Sequence, residues 1–418
     1  MRHLYNTALT AIRPLVGLWG AWPHRRRETA ERWRQRTVRE VPAACPGARW
    51  LHGSSVGEAR LVNAVATQLR RRAPRDPVAV SAFTATGRAA LTGPPLTDRV
   101  FYLPLDIPGY PARLIGALRP RSLTLLETEI WPNLIRACAG GGVPVAVVNG
   151  RLSPDRMARY RRFAGLYRPV LAALQAVGAQ SQEDAARFEE LGVSGHRIVV
   201  TGNLKHDLPP APSGPAAWRG RLGLTQQPVW VAGSTAEGED EFVLRAFLEV
   251  RRSVPDLVLV LAPRHPRRCA AVADLVERAG LALRNLSSAS PAGATPDVWL
   301  VDTLGDLGAL YGVATVAFVG GSLVPVGGHN LLEPAQLAVP VLFGPHVDHV
   351  AAMARELLDC GGGIQVAGAA ELAETMSGLL RDGARRARLG GQARAMVEAN
   401  RGALDRSVDL VLRLELRG

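Results

Sequence analysis

Short apolar runs alternate with longer segments of helical periodicity along most of the chain. The runs are rich in Val, Ile, Leu and Ala and end in Gly, Asn, Ser or Pro. Continuous apolar runs separated by helix-length segments are typical of parallel strands that are buried on both faces. The predicted strands are residues 48–52, 77–82, 99–103, 122–126, 143–149, 176–180, 197–201, 228–232, 256–262, 281–284, 297–302, 315–319, 339–343 and 363–366.

A proline-rich segment at residues 206–215 separates these strands into two series. Two such series joined by a linker predict an α/β protein with two doubly wound, Rossmann-like domains facing a central cleft. A length of 418 residues also suits two domains better than one. We place the domains at residues 23–208 and 209–418, after a separate segment of residues 1–22, and allow the last helix to pack back on the first domain.

The N-terminal segment is mostly apolar and is followed by a block of arginines. Its longest uncharged run, from Pro14 to Pro23, is too short to span a bilayer, which takes about 20 residues. No small-residue cleavage site follows, so a signal peptide is not expected. Trp19, Trp22 and the arginines predict an in-plane membrane anchor. An ordinary helix packed on the first domain would give the same pattern.

The charge of the chain is unevenly distributed. Residues 1–205 hold 30 Lys and Arg against 14 Asp and Glu, and the remainder holds 20 against 23. The first half is therefore expected to face an anionic partner such as lipid, nucleic acid or a phosphorylated substrate. The four cysteines form no CxxC pair, which argues against a disulfide scaffold and a zinc site. His346 and His349 alone do not make a metal site.

Polar residues follow the first and fourth predicted strands. His52 opens the sequence HGSSVGE, in which Ser55 and Glu58 have the spacing of a capping box. That spacing can mark a helix start only, but a carboxylate at a strand end can also serve as a general base. Glu127 and Glu129 are two apart on a chain taken as extended, so we expect them on one side, bound to arginines or to a substrate hydroxyl.

Basic residues follow the later strands of the first series. An arginine-rich segment at residues 151–168 includes Tyr160, Phe163 and Tyr167, and it predicts either a solvated face or a surface for anionic lipid or nucleic acid. Lys205 is the only lysine among 50 basic residues. Its retention favours a site that needs a compact ammonium, placed to reach a ligand phosphate or carboxylate.

The second series contains a glycine-rich stretch at residues 319–334. The pattern is strand, loop and helix start, and the glycines let the backbone approach a ligand while the helix offers unpaired N–H groups to an anion. Asn330 and Glu333 can face one side of that helix. Neither a dinucleotide fingerprint nor a Walker loop is present, and the glycines are also compatible with a plain tight turn and Glu333 with a cap.

Further candidate contacts for an anion end other strands of this series. Ser234 and Thr235 offer hydroxyl groups, and Arg264, between Pro263 and His265, is a natural anion clamp. A further turn at the same edge is formed by Leu304, Gly305 and Asp306.

Together these motifs resemble the 3-deoxy-D-manno-octulosonate (Kdo) transferases of lipopolysaccharide synthesis over nearly the whole chain. The motifs are HGSSVGE, LETEIWPNL, NGRLS, TGNLKHD, GST followed by GED, PRHPRR, DTLGDL and FVGGSLVPVGGHNLLEP. The resemblance implies an inverting glycosyltransferase of the GT-B fold. It implies Glu58 as the general base, with Glu127 and Lys205 stabilising the transition state. The substrate-binding residues that we assign on this basis are Ser234, Thr235, Pro263, Arg264, His265, Leu304, Gly305, Asp306, Asn330, Leu331, Leu332 and Glu333.

The same resemblance implies the partners and the location. The donor would be CMP-Kdo and the acceptor a lipid A precursor, lipid IVA. The enzyme would use no metal and no cofactor, would bind no nucleic acid, and would sit on the cytoplasmic face of the inner membrane, either peripherally or through its N-terminal segment, in contact with inner-membrane lipids.

Two positions depart from the family pattern, and two other functions stay open. Ala236 stands where the family usually has His, and Asp306 where it usually has Glu. One alternative is another GT-B transferase that uses a different nucleotide sugar, such as a UDP-sugar, and a lipid acceptor. The other is a basic membrane- or RNA-binding protein with an inactive cleft.

Overall fold

A computed structural model describes residues 4–11, 30–209, 214–288 and 294–414, with the side chains of residues 154 and 155 excepted. The prediction of an N-terminal membrane anchor falls largely on residues 12–29, which lie outside the described residues. The chain divides into two compact units: unit 1 is Met1–Leu208 with Arg401–Gly418, and unit 2 is Pro209–Asn400. Among the described residues, no helix combines the length and the apolar character that crossing a membrane requires.

Unit 1 contains one parallel sheet of seven strands in the order β3-β2-β1-β4-β5-β6-β7. Its strands are β1 (Arg49–His52), β2 (Val78–Ala82), β3 (Arg99–Tyr102), β4 (Ser122–Leu126), β5 (Val145–Gly150), β6 (Ala176–Ala179) and β7 (Ile198–Val200). Its helices along the chain are α1 (residues 4–11), α2 (Ala30–Arg36), α3 (Val56–Arg72), α4 (Ala85–Ala90), α5 (Tyr110–Leu118), α6 (Pro132–Gly140), α7 (Pro154–Arg162), α8 (Ala164–Leu171) and α9 (Gln182–Glu190).

Unit 2 repeats this architecture, with a seven-stranded parallel sheet in the order β10-β11-β9-β8-β12-β13-β14. Its strands are β8 (Val229–Thr235), β9 (Val258–Pro263), β10 (Leu283–Asn285), β11 (Val298–Leu300), β12 (Val316–Val319), β13 (Val341–Phe343) and β14 (Gly363–Gln365). Its helices are α10 (Pro215–Arg221), α11 (Glu239–Arg251), α12 (Cys269–Arg278), α13 (Leu307–Leu310), α14 (Leu332–Ala335), α15 (Ala351–Asp359), α16 (Ala369–Arg381) and α17 (Gly383–Ala399).

The last helix, α18 (Ala403–Arg413), belongs to unit 1. The carboxylate of Asp207 accepts the backbone N–H groups of Gly402 and Leu404, each at 2.7 Å, and so satisfies two unpaired donors at the start of α18. Val408 and Val411 are fully buried in the core that α18 shares with α3. A fully buried aliphatic side chain contributes about 1.5–3 kcal/mol, so the apolar stripe of α18 fixes it on this unit.

The two doubly wound α/β sheets predicted from the sequence are confirmed, and all fourteen predicted strands are present. The predicted and observed strand ends differ by at most three residues, most at β8, which runs on to Thr235. The pairing of β8 with β9 shifts register between Gly233 and Thr235, and Ser234 between them has a φ of 57°. A bulge of this kind re-aims the side chains at a strand end.

The topology predicts where each unit binds a ligand. In doubly wound sheets, ligands bind beyond the carboxyl ends of the strands, at the point where the strand order reverses. That point lies between β1 and β4 in unit 1 and between β8 and β12 in unit 2.

Candidate active site

Unit 1 brings several of the predicted site residues together at its switch point. His52 is the last residue of β1, and Glu58 lies in the first turn of α3, which follows directly. Glu127 and Glu129 follow the adjacent strand, β4. Lys205 lies in the short 3-10 helix after β7.

The start of α3 holds the Glu58 carboxylate in place. Ser55 is the N-cap, and its hydroxyl oxygen accepts from the N–H of Glu58 at 3.3 Å. In return the Ser55 hydroxyl donates to Oε1 of Glu58 at 2.9 Å, and the N–H of Ser54 donates to Oε2 at 2.7 Å. A Cβ at Gly53 would lie 2.9 Å from the Cβ of Glu58, so the chain needs glycine at this approach. The predicted capping box is confirmed, and it fixes the side chain of the candidate base.

The protonation of Glu58 differs from what the helix start alone suggests. Burial raises the pKa of Glu58 to about 7, with further contributions from the charges of Glu129 and Glu127, against the bonds from Ser54 and Ser55. The hydrogen bonds at the helix start lower this pKa and so favour the ionised form, but they do not decide its value. Desolvation and two like charges outweigh two hydrogen bonds and the helix dipole. A carboxyl with a pKa near neutrality is well suited to general base catalysis.

Glu127 pairs with the single lysine of the chain. Its φ of 59° places it in a turn, not on an extended strand, so the sequence-based expectation about its backbone is wrong. Nζ of Lys205 lies 3.0 Å from Oε1 of Glu127. The backbone N–H of Leu204 donates to Oδ1 of Asn149 at 2.9 Å, and the N–H of Lys205 donates to Oδ1 of Asn203 at 3.0 Å. These bonds hold Lys205 next to Glu127 at the end of β4, and both charged side chains are partly exposed to solvent.

Glu129 has a different set of partners. Its Oε2 accepts from the Ser54 hydroxyl at 2.5 Å and from the Trp131 indole at 2.8 Å, and it faces Nε2 of His52 at 3.5 Å. Burial acts to raise the pKa of Glu129, but the contacts with His52, Ser54 and Trp131 outweigh it and hold that pKa below its ordinary value. Because the chain turns at Glu127, the two carboxylates have separate partners. Glu127 contacts Lys205, and Glu129 contacts Ser54, Trp131 and His52. The sequence had predicted arginines or a substrate hydroxyl for both.

In unit 2, buried hydrogen bonds and an ion pair hold the end of β8 in place. The hydroxyl of Thr235 is fully buried and donates to Oδ1 of Asp240 at 2.6 Å. Arg268 forms an ion pair with Asp240 and donates to the carbonyl of Thr235 at 2.9 Å. Since Thr235 is engaged in this way, the half-buried Ser234 is the more accessible of the two hydroxyls that the sequence indicated.

Glu239 organises the glycine-rich loop after β12, a role that sequence reasoning missed. Its carboxylate is fully buried, with each oxygen accepting two backbone N–H groups. Oε2 accepts from Ala236 at 2.7 Å and from Gly321 at 2.5 Å, and Oε1 accepts from Ser322 at 2.8 Å and Leu323 at 2.7 Å. An internal carboxylate therefore holds this loop, upstream of the helix start at which the sequence predicted an anion. The available signal in the sequence was the GED motif before an apolar helix.

A cationic group lies among three histidines at the same edge. The side chains of Arg264 and His265 are exposed after β9. Burial lowers the pKa of His329 to about 4, and the nearby charges of Arg264, His349 and His265 add to the effect. The imidazole of His329 is therefore neutral at physiological pH. Arg264 thus supplies a permanent positive charge to this part of the site.

The remaining donor-site candidates are turns that present backbone and carboxylate groups. The amide of Asn330 donates to Oε1 of Glu333 at 3.4 Å, so the two share a side as predicted. Leu331 and Leu332 have fully buried side chains and can offer only their backbone to a ligand. Asp306 accepts the Thr303 hydroxyl at 2.5 Å, in the turn that Leu304 and Gly305 form after β11.

Metal-ligating side chains do not gather at either site: within the described ranges, no group of three or more His, Cys, Asp or Glu is arranged to hold an ion.

Comparisons with known proteins agree with the motifs. A family model described as 3-deoxy-D-manno-octulosonic-acid transferase (kdotransferase) matches residues 31–208. The 3-deoxy-D-manno-octulosonic acid transferase of Haemophilus influenzae is 32% identical over 98% of both chains. The enzyme of the same description from Bordetella pertussis is 35% identical, again over 98% of both chains.

A solved structure supports the fold independently of sequence. The UDP-GlcNAc 2-epimerase of Neisseria meningitidis, bound to UDP-GlcNAc, superposes with a TM-score of 0.60 over 88% of this chain and 100% of its own. Its sequence identity is 14%, so the likeness concerns the two-unit α/β architecture alone.

Proposed function

The chain belongs to the 3-deoxy-D-manno-octulosonic acid (Kdo) transferase family, and from this we propose that its donor is CMP-Kdo and its acceptor a lipid A precursor, lipid IVA. It is a glycosyltransferase that transfers Kdo in lipopolysaccharide core synthesis. The observation that carries the proposal is the position of Glu58, held by two hydrogen bonds at the switch point of unit 1 with a pKa of about 7.

Glu58 is the proposed general base. A hydroxyl of the acceptor gives its proton to the Glu58 carboxylate, and the oxygen forms a bond to the anomeric carbon of Kdo. The bond from that carbon to the phosphate oxygen breaks, and CMP leaves with the electron pair. Attack opposite to the leaving group inverts the anomeric centre. The base must be ionised to accept the proton, so a pKa of about 7 leaves a substantial share of molecules active near neutrality.

Glu127 and Lys205 are proposed to stabilise the transition state. Positive charge builds on the sugar while the bond to phosphate breaks, and a fixed carboxylate such as Glu127 opposes that charge. Lys205 lies 3.0 Å from Glu127 and has further N–H donors for the carboxylate of Kdo. The pair thus offers the substrate one positive and one negative group, whose charges sum to zero.

The donor nucleotide is proposed to bind at the switch point of unit 2. Arg264 offers the cation for phosphate, with Ser234, Pro263 and His265 beside the same strand ends. The turn of Leu304, Gly305 and Asp306 and the segment of Asn330, Leu331, Leu332 and Glu333 are proposed to hold the rest of CMP. Carboxylates there can accept from ribose hydroxyls or from the cytosine amino group.

The proposed function is tested by incubating the protein with CMP-Kdo and a tetra-acylated lipid A precursor and reading the product by mass. We expect a product heavier by Kdo. A thermal shift with CMP but not with UDP supports the donor assignment. A shift with UDP alone, and no Kdo product, would favour a transferase of a different nucleotide sugar.

Deletion of residues 1–22 is expected to release the protein from membranes. The proposed location is the inner membrane at its cytoplasmic face, with the apolar N-terminal segment at the lipid interface. Co-sedimentation with anionic vesicles measures the release, and Trp19→Ala with Trp22→Ala is the matched substitution in the full chain. If the deletion variant still sediments at high salt, the anchor lies elsewhere in the protein.

Replacement of the lysine is expected to affect turnover more than nucleotide binding. Lys205→Met removes the cation paired with Glu127, and we expect kcat to fall by about 10²-fold while the Kd for CMP stays unchanged. Lys205→Arg keeps the charge but changes the donor geometry, and should retain part of the rate. Steady-state kinetics and calorimetric titration with CMP measure the two effects. A loss confined to CMP affinity would contradict the assignment of Lys205 to the reacting centre.

A further inference from the structure

Ser54 connects two carboxylates that have different environments. Its backbone N–H donates to Oε2 of Glu58 at 2.7 Å, and its hydroxyl donates to Oε2 of Glu129 at 2.5 Å. The proposed reaction gives Glu129 no contact with substrate. Nevertheless, its carboxylate fixes the residue that holds the base.

Glu129 is itself anchored by a buried chain of donors. The indole of Trp50 donates to the hydroxyl oxygen of Ser81 at 2.7 Å, and Nδ1 of His52 is hydrogen-bonded to the same hydroxyl at 2.9 Å. Nε2 of His52 faces Glu129 at 3.5 Å, and a ring proton on this nitrogen presents an N–H to the carboxylate. The opposite tautomer would donate from Nδ1 to the Ser81 carbonyl at 3.1 Å, but it would turn the lone pair of Nε2 toward the Glu129 anion. Trp131 adds a second N–H to Glu129 at 2.8 Å, and hydrogen bonds of this kind stabilise a buried anion.

Resting on the proposed role of Glu58 as base, we propose that Glu129 is a positioning residue that holds Glu58 through Ser54 and acts on it electrostatically. Oε2 of Glu129 and Oε2 of Glu58 are bound by the same serine, so the two carboxylates are held as neighbours. Glu129 keeps its negative charge because the donors around it favour the anion. One carboxylate is thus kept ionised so that its neighbour exchanges a proton near neutral pH.

The electrostatic effect is consistent with this geometry. The largest charge contribution that raises the pKa of Glu58 comes from Glu129, ahead of Glu127. The pKa of Glu129 itself lies below its ordinary value, so this carboxylate is ionised wherever Glu58 titrates.

Several charged and titratable groups around α3 have contacts of their own. Lys205 faces Glu127, and His52 faces Glu129. The elements α4 and α18 also pack on α3. Their charged side chains bind elsewhere: Arg88 donates to the carbonyl of Val100, Asp405 accepts from Gln68, and Asp409 accepts from Arg72. The charges that raise the pKa of Glu58 are those of Glu129 and Glu127, which follow β4.

The test is the pH dependence of kcat/KM in Glu129→Gln. Activity needs ionised Glu58, so in the wild type kcat/KM should rise with pH up to about 7. Removing one neighbouring negative charge should move this acid limb down by about one pH unit. The variant should therefore lose less activity than the wild type between pH 7 and pH 6, while kcat at high pH falls because Ser54 is held less well.

Ser54→Ala separates the two parts of the proposal. It removes the hydroxyl bond to Glu129 and keeps both the backbone bond to Glu58 and the charge of Glu129. We expect kcat to fall. The acid limb of kcat/KM should stay within about 0.3 pH units of its wild-type position, which is well under the shift expected when a charge is removed. An acid limb that stays in place in folded Glu129→Gln, or moves equally in both variants, overturns the electrostatic role.

Direct titration keeps the inference independent of the reaction. Carboxyl-labelled glutamate NMR of the intact protein, with Glu58→Gln to assign the signal, gives the midpoint of Glu58 without any substrate. We expect a wild-type midpoint near 7. An ordinary midpoint near about 4.3 in the folded wild type would overturn the inference even if Glu129→Gln did not fold. If CMP-Kdo gave no product but the titration behaved as expected, only the proposed function would fail.

Discussion

Glu58→Gln is expected to lower kcat for Kdo transfer by about 10²–10⁴-fold, the range associated with a single general base. The amide has nearly the same size and can still accept from Ser54 or Ser55, so the start of α3 should keep its geometry. It has no basic oxygen to take the proton of the acceptor hydroxyl. The measurement is single-turnover formation of the Kdo product.

Nucleotide binding provides the control for Glu58→Gln. The proposed CMP site is built from unit 2 residues, so the Kd for CMP should equal that of the wild type. Glu40→Gln, an exposed carboxylate that binds Arg34, is the matched surface substitution and should leave the rate unchanged. Unchanged transfer in Glu58→Gln would remove this residue from the mechanism, and joint loss of CMP binding would point to a wider structural defect.

Glu239→Ala is expected to be the most destabilising of the substitutions considered. It leaves the N–H groups of Ala236, Gly321, Ser322 and Leu323 without their acceptor inside the protein. Removing one partner of a buried, hydrogen-bonded charge costs about 3–5 kcal/mol. Because the glycine-rich loop loses its internal anchor, CMP affinity should fall as well.

Thermal unfolding and CMP titration of the same preparations measure the two effects of Glu239→Ala. Glu237→Ala is the matched control, since Glu237 is exposed just before the same helix, and surface changes usually stay within about 0.5 kcal/mol. Glu239→Gln keeps one carbonyl oxygen as an acceptor, so its stability and its CMP affinity should lie between those of Glu239→Ala and Glu237→Ala. Wild-type stability in Glu239→Ala would show that the loop amides find another acceptor.

The glycine-rich loop after β12 shows which features a local sequence pattern can predict. Periodicity predicted the strand, the loop and the helix start correctly, because each depends on neighbouring residues. The occupant of the loop amides is Glu239, more than 80 positions earlier in the chain. No local pattern reports such a contact, so the sequence did not indicate that a distant carboxylate anchors the loop.

The capping box at Ser55 and Glu58 combines, within one motif, a property that the local sequence predicts and a property that depends on the fold. Its spacing predicted the hydrogen bonds of the helix start, which the structure contains. The protonation of Glu58 follows instead from burial and from Glu129, which the parallel pairing of β1 with β4 brings close. Electrostatic effects depend on distance and desolvation in space, and these are properties of the folded chain.

The sequence by itself determined the two parallel sheets, the strand ends that carry polar residues and the family to which the chain belongs. Apolar runs are buried whatever their partners, and strand ends of parallel sheets share an edge. Only the tertiary structure decided that Lys205 pairs with Glu127, that Ser54 links Glu58 to Glu129, and that Glu239 fills the loop. Except for the bond from Ser54 to Glu58, these contacts join residues far apart in the chain, and they form only when folding brings the strands between them together.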